Sequence, residues 1–287
     1  MVSKRGAKLV AIGVIVAGTL IAETKKELHF SVGAKAGVSV VNPYGSISVK
    51  PSTNNTVVIN AVLHSDKVEV DNNQSGNRVD IQSHLLAGAD AESGRVDYEV
   101  LVPADASITL HSSTGSLRAE KLHGDLSLEG PGSSVDIRDI SNAHVHVKTM
   151  NGPVNLDNIQ NGHVEVDSLS GDITLHAVTG PVVQVVSTSG RINYIGDFGK
   201  SGEYRLTSHS GDIEATIPEW TSADVSARSV RGEVSDDIPL QPKAHSYFAI
   251  DKGRAFAGTV GKMAVSSTVV LRSFSGKIHL RKRSEKQ

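Results

Sequence analysis

Three histidines and one carboxylate recur at a fixed spacing. "HVHV" at 144–147 sets His144 and His146 between valines, and "HVEV" at 163–166 does the same for His163 and Glu165. Positions 144 and 163 are 19 apart, as are 146 and 165. If the two runs are neighbouring strands, their valines point inward and the four polar side chains form one outward patch. Imidazole and carboxylate are donors that zinc and other divalent transition ions accept. A metal site also needs those donors to converge and a second shell to hold them. A flat strand face tends to keep rings parallel, and an exposed polar face with chance histidines accounts for the same pattern. Sequence alone therefore assigns no metal and no cofactor. His144, His146, His163 and Glu165 stand as a candidate patch only.

Other chemistries fare worse. Glu165 and Asp167, two apart on one outward face, fall near the separation of roughly 6.5–9.5 Å that inverting glycosidases use. A carbohydrate-active β-helix would need a groove around them, and short uniform corners build none. Gly171-Asp172 resembles part of a calcium-binding nonapeptide, but the double glycine of that motif is missing. There is no cysteine, which excludes disulfides, thiolate metal sites and cysteine nucleophiles. The formal net charge of −2 gives no basis for nucleic-acid binding. No catalytic residue is assigned, and a non-enzyme is expected.

The elements that would position the patch come from a repeat. Inward apolar residues Ile108, Leu126, Val145, Val164, Val183, Tyr204, Val225 and Val269 advance by 18, 19, 19, 19, 21, 21 and 44. Leu117, Val135, Val154, Ile173, Ile192, Ile213, Val234 and Ile278 advance by the same steps, always 9 residues behind their partners. A fixed offset with a drifting return marks a solenoid. The expected fold is all-β: a parallel β-solenoid of about eight coils of 18–21 residues, each with two short strands. About four buried aliphatic side chains cannot offset the ordering of one coil, so coils must stack to be stable.

The constant corner has its own columns. One reads Gly115, Ser133, Gly152, Gly171, Gly190, Gly211, Gly232 and Gly276; three residues earlier stand Ser112, Gly130, Thr149, Ser168, Ser187, Ser208, Ser229 and Ser273. Glycine there implies a positive φ or a close backbone approach. The hydroxyls would satisfy polar groups where the chain bends. Asp172, Arg191 and Asp212 are expected to alternate as charges on adjacent coils.

The ends differ from the middle. Residues 1–27 hold a basic head and an uncharged apolar run at 9–22, which reads as a signal peptide or a short membrane anchor. Residues 28–103 read as an N-terminal β cap and first strands, with Val38, Gly45 and Ile47 already in the repeat's spacing. The solenoid spans 104–280, with an insertion at about 235–267 leaving the last coil, and 281–287 form a basic tail.

The motifs "VVNPYGSISV", "VDYEVLVPADASITLHSSTGSL", "SGDITL", "SGRINY", "SGDIEATIP" and "FSGKIHL" resemble the bacterial putative-adhesin family of exported β-solenoid domains, over about residues 30–280. The resemblance implies an envelope-facing solenoid without known catalytic residues and carries over no site residue. The expected function is a non-catalytic cell-envelope module, exported to the periplasm or cell surface and membrane-associated if residues 9–22 stay attached. Its partner would be an envelope protein, a glycan or another surface ligand. The alternatives are a structural spacer or envelope-stress accessory protein, and a carbohydrate-active β-helix enzyme.

Overall fold

The protein is described by a computed structural model over residues 23–238, 241, 253–261 and 267–283. The apolar run at 9–22, parts of the insertion at 235–267 and residues 284–287 of the basic tail lie outside the described residues. Within them the chain is all strand, in two 12-stranded sheets.

The N-terminal part supplies β1 (Thr24–Ser31), β2 (Gly37–Tyr44), β3 (Ile47–Pro51), β4 (Thr56–Leu63), β5 (Val68–Ser75), β6 (Arg78–Leu85) and β7 (Val96–Val102). Next come β8 (Ser107–Thr114), β9 (Ser116–Glu120), β10 (Leu126–Gly130), β11 (Ser134–Ser141), β12 (His144–Thr149) and β13 (Val154–Gln160). They are followed by β14 (His163–Ser168), β15 (Ile173–Val178), β16 (Val182–Ser187), β17 (Ile192–Ile195), β18 (Glu203–Ser208) and β19 (Ile213–Ile217). The last are β20 (Ala223–Ser229), β21 (Val234–Asp236), β22 (Ala255–Val260), β23 (Ser267–Ser273) and β24 (Ile278–Lys282).

From β8 to β19, each coil places its first strand in one sheet and its second in the other, and every stacked pair is parallel. The register is the one the repeat requires: Val145 lies beside Val164, and Val154 beside Ile173. Inward residues fill a continuous aliphatic core between the sheets. The coils bury one residue more than alternation alone predicts. Val164, Val166, Ile173 and Leu175 are buried as expected, and Val178 joins them. The cause is a kink at the preceding residue. Lys121, Asp139, Asn158 and Ala177 stack at one position with φ between 52° and 58°. That left-handed residue breaks the alternation, so Leu122, Ile140, Ile159 and Val178 turn inward.

The Gly corner is a close approach rather than a left-handed turn. Of the corner glycines only Gly45 and Gly115 have positive φ. At Gly171 an added Cβ would lie 2.7 Å from the carbonyl carbon of Gly152 in the coil below, closer than real Cβ contacts come. The hydroxyl column bonds as the corner demands: Ser187 Oγ donates to the Gly190 carbonyl at 3.0 Å, and Ser229 Oγ to that of Gly276 at 2.8 Å. In the first coil Asn42 takes the hydroxyl's place, fully buried, and donates to the Val96 carbonyl at 2.7 Å. The charges after the corner do not pair side chain to side chain. Asp172 accepts the backbone N–H of Arg191 at 2.8 Å, and Asp212 accepts that of Lys277 at 2.8 Å.

Coil order departs from chain order near the C-terminus. β23 lies between β18 and β20, and β24 between β19 and β21. The chain thus leaves one coil's gap after β19, builds β20 and β21 beyond it, and returns to fill the gap. β22 pairs antiparallel with β20 on the far side. The insertion therefore leaves an end coil but leads back into the stack, a detour that the unchanged 9-residue offset cannot reveal.

At the other end β2 and β3 stack on β8 and β9 as an ordinary coil. β6 and β7 add a parallel layer on β2 and β3; β5 then pairs antiparallel with β6, β4 with β7, and β1 with β4. β1 begins at Thr24, inside the segment 1–27 read as leader or anchor.

Candidate functional site

The repeat positions the polar patch on the outer face of the sheet that contains β8, β10, β12 and β14. Register pairs His144 with His163 and His146 with Glu165. Val145, Val147, Val164 and Val166 beneath are buried, so the four polar side chains have only the outward side available.

Three of the four converge. One donor atom each from His144, His163 and Glu165 lies within 4.8 Å of the others. His163 Nε2 is 3.2 Å from Glu165 Oε1. The fourth, His146, places Nδ1 at 3.4 Å from the other carboxylate oxygen, Oε2. Glu165 is thus held between two imidazoles. The His144 and His163 rings stack, with centroids 4.3 Å apart and planes 17° from parallel. The flat strand face imposes that arrangement, as expected from the sequence. His144 is also anchored through its backbone, whose N–H donates to Asp125 Oδ1 at 2.9 Å.

An open depression of about 270 Å³ adjoins the patch. Hydroxyls of Ser107, Thr109 and Ser127 line it, together with Asp125 and three of the patch residues, His144, His146 and Glu165. Two carboxylates, Asp125 and Glu165, face it. Asp167, the second carboxylate of the glycosidase pattern, is not part of that lining and stands opposite Lys148.

Other histidines also meet carboxylates, and sequence reasoning assigned them nothing. His176 Nδ1 is 2.6 Å from Asp157 Oδ1 on the opposite sheet, and His111 is 3.6 Å from Glu129. The signal was present: 157 and 176 are 19 apart, and 111 and 129 are 18 apart, each one repeat step. His64 lies 2.8 Å from Asp97 and 3.4 Å from Glu23, a pairing within the irregular cap that no spacing announces.

A family profile described as Toastrack DUF4097 matches residues 41–260. The chain belongs to this family. The match bears out the putative-adhesin resemblance read from the motifs and the β-solenoid expected from the repeat. Among curated proteins none matches. Solved structures are also similar, among them the following two. A "putative cell adhesion protein" from Clostridium sporogenes is 13% identical with a TM-score of 0.32, covering 91% of this chain and 100% of that one. A "putative adhesin" from Bacteroides fragilis is 12% identical with a TM-score of 0.48, covering 91% of this chain and 98% of that one. On this Toastrack scaffold the polar patch belongs to the outer face of one sheet, in the middle of the stack.

Proposed function

We propose that this Toastrack protein is an exported, non-catalytic surface-binding module of the cell envelope, and that its ligand lies across the outer face of the sheet that contains β8, β10, β12 and β14. One observation carries the reading. The face presents hydroxyl, carboxylate and imidazole groups in straight ladders, on strands whose inward valines and leucines are fully packed. Such a lattice is rigid and costs little to order on binding. Its depression is open and hydroxyl-lined, which suits a sugar unit of an extended glycan better than an engulfed small molecule. The apolar run at 9–22 supports export.

The test uses the full tagged chain. Protease added to intact cells removes the tag if the chain is exposed at the surface, and to spheroplasts if it is periplasmic. Purified protein is then mixed with isolated cell-wall glycan. Saturable retention is expected, and Ser127→Arg, which puts a long charged side chain into the depression, should weaken it at least about tenfold, as a desolvated misfit does. Cytoplasmic protection of the tag sinks export. Retention that is absent, or indifferent to Ser127→Arg, sinks the glycan-binding face; an envelope protein captured in its stead would point to a protein partner.

A further inference from the structure

The geometry points to a divalent transition-metal site on β12 and β14, with His144, His163 and Glu165 as ligands and His146 holding the carboxylate. Zinc is the ion that the donor set fits best. Two imidazoles and one carboxylate form the three-ligand set that leaves a fourth position open. The sequence supplied donor types and register; the fold adds convergence and support.

Convergence comes first. Tetrahedral zinc with bonds of about 2.0–2.1 Å sets its ligands roughly 3.3 Å apart. His163 Nε2 and Glu165 Oε1 already stand at 3.2 Å. His144 completes a group spanning 4.8 Å, so its donor must close by about 1.5 Å. The stacked rings share nearly parallel planes, and an ion in both planes requires one ring to turn about its Cβ–Cγ bond. Both rings are at the surface with space to do so: His144 is exposed and His163 has 40% of its side chain accessible. A terminal sp³–sp² torsion of this kind is broad, so the turn is cheap.

Support comes second. Glu165 Oε2 is engaged by His146 Nδ1 at 3.4 Å, which leaves Oε1 directed at His163. An imidazole set against the ligand carboxylate's other oxygen is the kind of outer-shell contact that orients a metal ligand. The strand below His144 is fixed by the Asp125 contact with its N–H. The open coordination position has somewhere to face, because His144 and Glu165 also line the depression. The site is independent of whether a glycan uses the face.

The probe is zinc alone, titrated into the full chain by calorimetry, with the melting temperature followed in parallel. Expected is one saturable site per chain and a rise in melting temperature. His144→Ala, His163→Ala and Glu165→Gln should each weaken binding at least tenfold. His146→Ala, acting through Glu165, should cost about 10-fold or somewhat more. His176→Ala removes a histidine paired with a carboxylate on the other sheet and should leave affinity unchanged. No saturable heat overturns the site, as does equal affinity in the His144→Ala/His163→Ala double variant. So does a loss of the same size in His176→Ala. A histidine variant whose zinc-free melt is already lowered is replaced by the corresponding His→Gln variant, and retained binding there also overturns the assignment.

Discussion

At the corner, one residue exchange tests why the columns exist. In the coil of β10 and β11 the order is reversed: Gly130 occupies the hydroxyl position and Ser133 the glycine position. The exchange is coupled, because a Cβ on Gly130 would meet the Ser133 Cβ at 2.7 Å. Ser133 meanwhile donates to the Ser112 carbonyl at 2.9 Å, which satisfies the corner from the other position. Gly130→Ser alone should therefore overpack a buried corner and cost about 1–3 kcal/mol. Ser133→Gly alone should cost about 1 kcal/mol for the lost bond, plus backbone entropy. The double variant restores the common pattern and should recover most of the loss, giving a coupling energy of about 0.5–3 kcal/mol in urea unfolding. Strictly additive losses would mean the two positions do not substitute for each other. The remaining columns were open to reading because their hydroxyls all bond backbone groups at the corner, within one coil as Ser187 does to the Gly190 carbonyl, or between coils as Ser229 does to that of Gly276. The inward kink was not, since Lys121, Asp139, Asn158 and Ala177 share a backbone conformation without sharing a side-chain type.

At the scale of elements, the C-terminal pair β23 and β24 decides how the stack ends. In a sequential solenoid the last coil is the outermost, and its removal costs one interface. Here β23 separates β18 from β20 and β24 separates β19 from β21, and their loss cuts the β20–β22 pair and β21 off from the stack. Deleting residues 267–287 should thus release everything after Ile217. Hydrogen exchange over 223–236 should rise to the rate of an unfolded segment, while β12–β15 stay protected. Continued protection of β20 in the deletion variant would show that it can pair directly with β18. Periodicity could not foresee this order. It reports that Tyr204, Val225 and Val269 occupy equivalent places in their coils, and equivalence is blind to which coil lies next to which. Return length does not help either: Ile192 to Tyr204 and Ile213 to Val225 are both 12 residues, yet only the second skips a coil. The metal-ligand patch was legible in donor type and register for the opposite reason. It lies on coils that are adjacent in both sequence and space, whereas convergence depended on side-chain rotamers that spacing does not encode.

For the whole molecule, stability runs along the stack, each coil relying on its neighbours, so the ends set where opening begins. The N-terminal end is closed by the antiparallel strands around β4 and β7, and Asp97 on β7 joins that cap to the first corner. Burial raises its pKa, but the Ser46 N–H at 2.8 Å, His64 and Arg95 outweigh burial and hold the carboxyl below its ordinary value. The sign follows from that direction. An ionised Asp97 stabilises the fold above its unfolded pKa of about 3.9, and the contribution disappears as pH falls through the lower folded value. The buried bonds of Asn42, Ser83 and Tyr98 nearby are neutral and carry no such dependence at acid pH. Acid should therefore loosen the cap before the centre. In hydrogen exchange with mass detection, peptides from β4 and β7 should gain exchange near pH 3 relative to β13 and β15, after correction for the intrinsic rate. Asp97→Asn keeps the side chain's size but removes its charge, and should reproduce that pattern at neutral pH. If the variant's cap exchanges as slowly as the wild type's, the link lies in packing of Val57, Ile59, Val96 and Val100 rather than in the Asp97 charge.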